Sequence, residues 1–304
     1  MKRADFFIVL TAAATLSFNL VMLRAARENY PVALVGFGEM IFTSFGLLGW
    51  ALARRGKDAF EGIKEDILTG ILIGLIACGI TMGILVGIAK STATAGAVLQ
   101  RTDILFTMVI GYFLVGDRFK KTDWLFLLML TIGAFYVIGF DLKSLRLTNP
   151  YNLFFVSSAF GISVNAFLIK YHIKRISWGV LAWINSSVQT IFYLLLSVFV
   201  YRGEVMYALK TYPSTFWWLI GASFWLVIYF LSYYESLERM PVWLVRTFLL
   251  TMPVFTLTLE FLLFGTKLTH HQAVGIVLVV VGVLGLTLTR RESADYLLKN
   301  PLCQ

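Results

Sequence analysis

The sequence predicts an all-α integral membrane protein with ten transmembrane helices, arranged as two inverted five-helix repeats. First, 59% of the 304 residues are hydrophobic and 14% are charged, and the mean hydropathy is +0.80. This composition is too apolar for a soluble domain. Second, the apolar residues fall into ten segments of about 20 residues, the length that a helix needs to cross a bilayer. Third, the two halves of the chain share residues at a constant offset.

The ten predicted spans are separated by short polar connections. Several connections carry turn or stop signals, such as Asn149-Pro150 and Met240-Pro241. None is long enough to form a soluble domain, so the function should lie within the helix bundle. The predicted spans are 5–24, 32–53, 67–89, 92–115, 122–140, 150–170, 177–201, 214–235, 241–264 and 270–289.

Internal repetition divides these spans into two groups of five. Thr102, Phe106, Thr107, Leu114, Gly116 and Gly133 recur 149 residues later as Thr251, Phe255, Thr256, Leu263, Gly265 and Gly282. A weaker echo, at an offset of 146, relates Ser17-Phe18-Asn19 to Ser163-Val164-Asn165. Because five is an odd number, the second repeat must enter the membrane in the opposite orientation. The predicted units are 1–146, 147–290 and a cytoplasmic tail at 291–304.

Lys and Arg residues are unevenly distributed between alternate loops. Of the 26, 16 lie on the side of the N-terminus and 8 on the other side, and Arg101 and Arg246 lie inside spans. The positive-inside rule therefore predicts that both termini are cytoplasmic. We expect a multi-pass protein of the cytoplasmic membrane of a prokaryote. In such a protein the net charge of +9 reflects orientation signals, so no nucleic-acid partner is expected.

The sequence lacks the usual signatures of enzymes. It contains no G-x-x-x-x-G-K-[ST] loop for ATP, no His/Cys cluster with metal spacing and no G-x-S-x-G elbow. We therefore predict no catalytic residues, no metal and no cofactor. The expected partners are a small-molecule substrate and the lipid bilayer.

Two short motifs resemble a known family. Met252-Pro253-Val254-Phe255-Thr256 lies in the ninth span and is followed by Phe264-Gly265, and Phe113-Leu114-Val115-Gly116-Asp117-Arg118 closes the fourth span. With five plus five spans, these motifs resemble the drug/metabolite transporter superfamily in its EamA-type ten-helix branch. The resemblance implies a central cavity, alternating access and amino-acid export among the family's activities. The chain departs from the usual pattern at Gln100-Arg101-Thr102-Asp103, at Gly38-Glu39 and at Thr266.

Charged residues inside the spans mark the candidate site. An ionisable side chain in a span costs about 2.5 to 3.5 kcal/mol, so it is expected to line a polar cavity or to pair with another charge. Arg101 and Arg246 lie about one helical turn apart under the repeat, on the same face of equivalent helices. A guanidinium group fits a carboxylate or a phosphate bidentately, so we predict that both bind an anionic substrate. The alternative is that each arginine neutralises an acid on a neighbouring helix.

Two acids are candidates for proton coupling. Glu39 lies in the second span at a depth comparable with that of Arg101, with which it can pair. Asp103 follows Arg101 by two positions, about 200° around the helix, so the two cannot face the same cavity. A helix-packing role is the alternative for Asp103.

The remaining site candidates are polar and aromatic. Asn19 and Asn165 are repeat-equivalent amides that bind either substrate or a neighbouring helix. Trp225 and Tyr229 belong to an aromatic face of the eighth span, which faces either substrate or lipid and neighbouring helices. Glu235 and Glu238 close that span and are the gate candidates, although a solvated helix end is the simpler explanation.

These features together predict a secondary active transporter. It would move a small polar metabolite, an amino acid or a related anionic or zwitterionic solute, by alternating access, with proton coupling and export as the working hypotheses. One alternative is an exchanger of phosphosugars or nucleotide sugars, or a carrier of lipid-linked intermediates. Another, from a different class, is a membrane receptor or scaffold that transports nothing.

Overall fold

The computed structural model describes residues 3–61, 63–90, 99–117, 119–138, 149–173, 176–265 and 269–299. Within these ranges the chain is helical throughout, with short turns between the helices. The α-helices are α1 (Arg3–Arg27), α2 (Val32–Arg55), α3 (Ile63–Lys90), α4 (Asp103–Ile110), α5 (Lys121–Ile138), α6 (Asn152–His172), α7 (Trp178–Leu195), α8 (Arg202–Thr211), α9 (Phe216–Arg239), α10 (Val242–Phe248), α11 (Met252–Phe264) and α12 (His270–Lys299).

Nine helical segments of the described chain are long and apolar enough to cross a bilayer. They correspond to nine of the ten predicted spans, and α10 and α11 together form one of them, Val242–Leu263. The predicted fourth span, 92–115, is described from residue 99 onward, so the count of ten is not established. Arg118 and Thr266, which were named in the family resemblance above, also lie outside the described residues.

Two helical stretches were not predicted from the sequence. The short helix α8 lies in the connection between the seventh and eighth spans. Its Ala208 is buried in an apolar cluster that includes Tyr30, Leu34 and Leu219, while Met206 and Tyr207 are exposed. In addition, α12 runs to Lys299, ten residues beyond the predicted end of the last span, so a helix occupies much of the predicted tail.

The fourth and ninth spans have the same local architecture. A 3₁₀ turn precedes an α-helix in both, at Gln100–Thr102 and at Leu249–Thr251, and the two α-helices begin 149 residues apart. Both spans end at a glycine in the left-handed conformation, Gly116 with φ 77° and Gly265 with φ 65°. Glycine is favoured there because it lacks the Cβ that destabilises this conformation. The offset found in the sequence is therefore also present in the backbone.

Helix pairings relate the two halves in the same way. The helix α1 packs mainly against α9, and the repeat-equivalent helix α6 packs mainly against α3. The equivalent helices α2 and α7 pack against each other, as do α5 and α12. Each pairing maps onto a pairing when the halves are exchanged, as expected for two domains related by an approximate twofold axis.

Ion pairs identify the two ends of the bundle. At one end, Arg239 lies 3.7 Å from Asp5 near the start of α1. At the other, Arg24 lies 2.6 Å from Glu260 near the end of α1. We call these the proximal and distal ends. The largest apolar core lies between them and includes Phe248, which is fully buried.

Candidate functional site

A cavity of about 320 Å³ lies between the midpoints of α1, α6, α7 and α9. Its volume is at the lower end of the range for small-molecule sites. We call it the central cavity. Its polar lining comprises Gln100, Arg101, Asn165, Asn185, Gln189, Tyr229, Tyr233, Tyr234 and Arg246. The cavity therefore brings together both predicted arginines, one of the two predicted asparagines and the predicted tyrosine.

Arg246 is neutralised by an acid from the other half of the chain. Its Nε donates to Asp103 Oδ2 at 2.9 Å, and its Nη2 donates to the same oxygen. The side chain of Arg246 is 10% exposed and that of Asp103 is 2% exposed. This ion pair joins α10 to the start of α4. Asp103 therefore makes a contact between helices, as expected for the helix-packing role that the sequence analysis gave as its alternative.

Arg101 is in a different electrostatic situation. It lies in the 3₁₀ turn Gln100–Thr102, is half-buried, and lines the central cavity. Its Nε is buried without a hydrogen-bond partner, and no ion pair of Arg101 occurs among the residues that the structure describes. Since Asp103 neutralises Arg246, Arg101 gives the cavity a net positive charge.

The central cavity also offers hydrogen-bonding groups from α6, α7 and α9. Asn185 Nδ2 donates to the Tyr234 hydroxyl at 2.9 Å, and Gln189 Nε2 donates to Asn185 Oδ1 at 3.1 Å. Asn165 Oδ1 is buried without a hydrogen-bond partner. Tyr229 and Tyr233 form a stacked pair, with ring centroids 5.3 Å apart and planes 15° apart. A solute in the cavity therefore meets an unsatisfied acceptor and an aromatic surface as well as Arg101.

A second cavity, of about 310 Å³, adjoins the first toward the distal end. The two share Leu20, Arg101 and Met252 in their linings, and the second also reaches Glu260 and Gln272. Glu260 belongs to the distal ion pair with Arg24. Arg101 therefore faces both the central cavity and a space that leads to the distal end.

The proximal end is tied together by Lys170. Its Nζ donates to the carbonyls of Leu237, Glu238 and Met240 at 2.5, 3.2 and 2.9 Å. These carbonyls are at the C-terminus of α9, where backbone oxygens lack helical partners and attract a cation. Lys170 thereby fastens the end of α6 to the end of α9.

Asn19 and Glu39 bind each other away from the central cavity. Asn19 Nδ2 donates to Glu39 Oε1 at 2.6 Å and to the Ala222 carbonyl at 3.0 Å. The predicted pairing of Glu39 with Arg101 is not made, because Arg101 lines the central cavity and Glu39 lies outside it. Neither Asn19 nor Glu39 is part of the lining of the central cavity.

The other predicted residues also have defined places. Trp225 stacks on Phe18, with centroids 4.4 Å apart, and is not part of the central lining. Glu235 accepts a hydrogen bond from Arg239 at 2.6 Å. Glu235 and Glu238 line a cavity of about 660 Å³ at the proximal end, where the gate was predicted.

Two features escaped the sequence analysis. Tyr234 was not singled out, although a buried tyrosine next to Tyr233 must hydrogen-bond its hydroxyl. The Asp103–Arg246 pair was not identified because it joins residues 143 positions apart. The signal available for both was the cost of an unpaired polar group inside the membrane.

Comparison with known proteins decides the family. A model of the EamA-like transporter family matches residues 3–139 and 149–288, once in each half. The chain belongs to the EamA-like transporter family. The family consists of membrane transporters, and the described helices are long and apolar enough to cross a bilayer. This chain is therefore a multi-pass membrane transporter of the drug/metabolite type.

The fold is shared with solved structures. Twenty-nine of their chains match this EamA-like transporter. One crystal structure of a protein aligns with 96% of this chain and 99% of its own, with a TM-score of 0.79 and 17% sequence identity. At this identity the likeness concerns the fold alone. No curated protein matches the chain.

Proposed function

We propose that this EamA-like transporter carries a small metabolite with an anionic group, by secondary active transport through the central cavity. The observation that supports this most directly is the guanidinium of Arg101, which lines the cavity with its Nε unpartnered. An anion about 4 Å from that charge gains on the order of 4 kcal/mol at an effective dielectric constant of 20. The planar donors of arginine also fit a carboxylate or a phosphate in two parallel hydrogen bonds.

The other polar groups of the cavity favour a zwitterion, in particular an amino acid. Asn165 Oδ1 accepts no hydrogen bond from the described residues and is suited to an ammonium group. The stacked rings of Tyr229 and Tyr233 add a surface that attracts cations. With a carboxylate on Arg101, both ends of an amino acid find complementary groups in the same cavity.

One observation favours an alternative substrate, a lipid-linked intermediate. The second cavity is lined largely by apolar side chains from α1, α5 and α11, namely Leu20, Val137, Ile138, Met252, Pro253 and Leu257. An acyl chain would fit such a lining while its phosphate bound Arg101. A phosphosugar or a nucleotide sugar remains a further alternative, since a phosphate also satisfies Arg101.

The same geometry supports a hypothesis about direction and coupling. If the proximal end is cytoplasmic, as the distribution of Lys and Arg predicts, the central cavity faces outward, and Lys170 holds the cytoplasmic gate beside Glu235 and Glu238. Asp103, which binds Arg246, and Glu39 are the two candidate proton carriers. We propose export coupled to a proton gradient on this basis.

The test is a thermal-stability screen of purified protein against amino acids, phosphosugars, nucleotide sugars and a short-chain lipid pyrophosphate. We expect stabilisation by an amino acid in the parent and loss of that stabilisation in Arg101→Ala. Stabilisation by the lipid pyrophosphate alone would establish the alternative substrate. Equal stabilisation of the parent and Arg101→Ala by every active compound would exclude the Arg101 site.

A further inference from the structure

Asn19 and Glu39 are the repeat counterparts of two residues in the central cavity. Asn19 on α1 corresponds to Asn165 on α6, and Glu39 on α2 corresponds to Asn185 on α7, both at an offset of 146. We propose that Asn19 and Glu39 form a second substrate site, which opens toward the proximal end when the two halves exchange conformations. This inference rests on the alternating access of the proposed function.

The two halves are in different conformations in this structure. In the second half, Asn165 and Asn185 line the central cavity, and Asn165 Oδ1 lacks a partner. All four side chains are buried, but in the first half Asn19 and Glu39 lie outside the central cavity, and Asn19 ties Glu39 on α2 to the carbonyl of Ala222 on α9. One asparagine therefore lines the cavity with an unsatisfied acceptor, while its counterpart is hydrogen-bonded away from the cavity. If the two halves exchange conformations, Asn19 lines a cavity and Asn165 is hydrogen-bonded away from it, and the fold of each half is unchanged.

The ties at the two ends follow the same exchange. Lys170 corresponds to Arg24 at the offset of 146. Lys170 binds the C-terminal carbonyls of α9 and so ties α6 to α9 at the proximal end. Arg24 pairs with Glu260 on α11, and its side chain is 67% exposed. In the exchanged state Arg24 binds the C-terminal carbonyls of α3, the counterpart of α9, and Lys170 is released.

The exchanged site differs in charge from the site that is now open. Asn185 contributes a neutral amide, whereas Glu39 contributes a carboxylate at the equivalent place. The proximal-open cavity thus binds the ammonium group of a zwitterion through Glu39, and the distal-open cavity binds it through neutral groups. This difference favours loading at the proximal end and release at the distal end.

Cysteine accessibility tests the exchange directly and needs no substrate. Asn19→Cys and Asn165→Cys are made in a background with Cys78→Ala and Cys303→Ser. A membrane-impermeant thiol reagent is applied to intact cells and to inverted vesicles, so that each end is probed separately. We expect Asn165→Cys to react from the distal side and Asn19→Cys to react at least about tenfold more slowly, as expected for a minor state populated at 10% or less.

Release of the proximal tie should reverse the pattern. With Lys170→Met, Asn19→Cys reacts from the proximal side and Asn165→Cys slows by a similar factor. Lys210→Met, on the exposed face of α8, is the matched control and leaves both rates unchanged. Thr43→Cys and Gln189→Cys form a second equivalent pair and replace the first if Asn19→Cys does not fold.

Two results would overturn the inference. One is reaction of both members of a pair from the same side at similar rates. The other is an Asn19→Cys, or Thr43→Cys, that stays unreactive after Lys170→Met. Neither result depends on Arg101, so a failure of the exchange is distinguishable from a failure of the anion site.

Discussion

Ser17 and Ser163 make the same hydrogen bond in opposite halves of the transporter. Ser17 Oγ donates to the Met252 carbonyl at 3.0 Å, and Ser163 Oγ donates to the Asp103 carbonyl at 2.7 Å. The two acceptors begin α11 and α4, 149 residues apart. These bonds join the first span of each half to the fourth span of the other. Because they are equal in the two halves while the bonds of Asn19 and Asn165 differ, we infer that they persist in both states.

Ser17→Ala and Ser163→Ala should therefore both destabilise the protein. Ser17→Ala removes one buried hydrogen bond between the halves, which contributes about 1 kcal/mol to stability. Ser163→Ala also removes the acceptor of Thr107 Oγ1, so its loss should be at least as large. Thermal unfolding of the two variants in the same detergent measures the loss. A neutral Ser17→Ala beside a destabilising Ser163→Ala would contradict the equivalence of the two junctions.

The Asp103–Arg246 pair should show strong energetic coupling. Either Asp103→Asn or Arg246→Gln leaves one buried charge without its partner, at a cost of about 3 to 5 kcal/mol. The double variant removes both charges and should be much less destabilised than the sum of the singles. A double-mutant cycle on unfolding free energies measures the difference.

The distal pair Arg24–Glu260 provides the matched control for that cycle. Its arginine is 67% exposed, so solvent screens the interaction and the coupling should stay below about 1 kcal/mol. Equal coupling in the two pairs would mean that the Asp103–Arg246 pair is not protected from solvent.

Glu39→Gln tests proton coupling through that residue. The amide oxygen of glutamine still accepts the hydrogen bond from Asn19, so stability should change little. Accumulation of substrate driven by an imposed pH gradient should fall to the level seen without a gradient in proteoliposomes, while exchange without a gradient continues with a raised KM, because glutamine lacks the charge that binds the ammonium group. Glu204→Gln, on the exposed helix α8, is the control that should keep its response. Unchanged gradient-driven accumulation in Glu39→Gln would exclude this role.

Gly265→Ala should destabilise the fold through the backbone alone. A Cβ at Gly265 would meet nothing within 4 Å, but its φ of 65° is left-handed, which costs about 1 to 2 kcal/mol for other residues. Gly79 in α3 also has open space but normal helical geometry, so Gly79→Ala should stabilise by up to about 1 kcal/mol. Thermal unfolding of the two variants should therefore shift in opposite directions.

The sequence predicted much of this site but little of its asymmetry. The cost of charge in the membrane and the repeat identified Arg101, Arg246 and Asn165, all of which line the central cavity. The repeat also predicted the same role for Asn19 as for Asn165, but only Asn165 lines the cavity. Equivalent positions in a sequence do not reveal that the two halves have different conformations. The helix α8 was missed because its ten residues, mostly polar or exposed, carry no signal of a membrane span.

The central claim is that Arg101 binds the anionic group of the substrate, and equilibrium binding tests it most directly. The stabilising compound from the screen is titrated calorimetrically into the parent, Arg101→Ala, Arg101→Lys and the exposed control Arg202→Ala. Since hydrogen bonds to a charged group contribute about 1.5 to 3 kcal/mol, we expect Arg101→Ala to bind about tenfold to a hundredfold more weakly. Arg101→Lys should recover part of the affinity, and Arg202→Ala should match the parent. Binding by Arg101→Ala with the affinity of the parent would contradict the account.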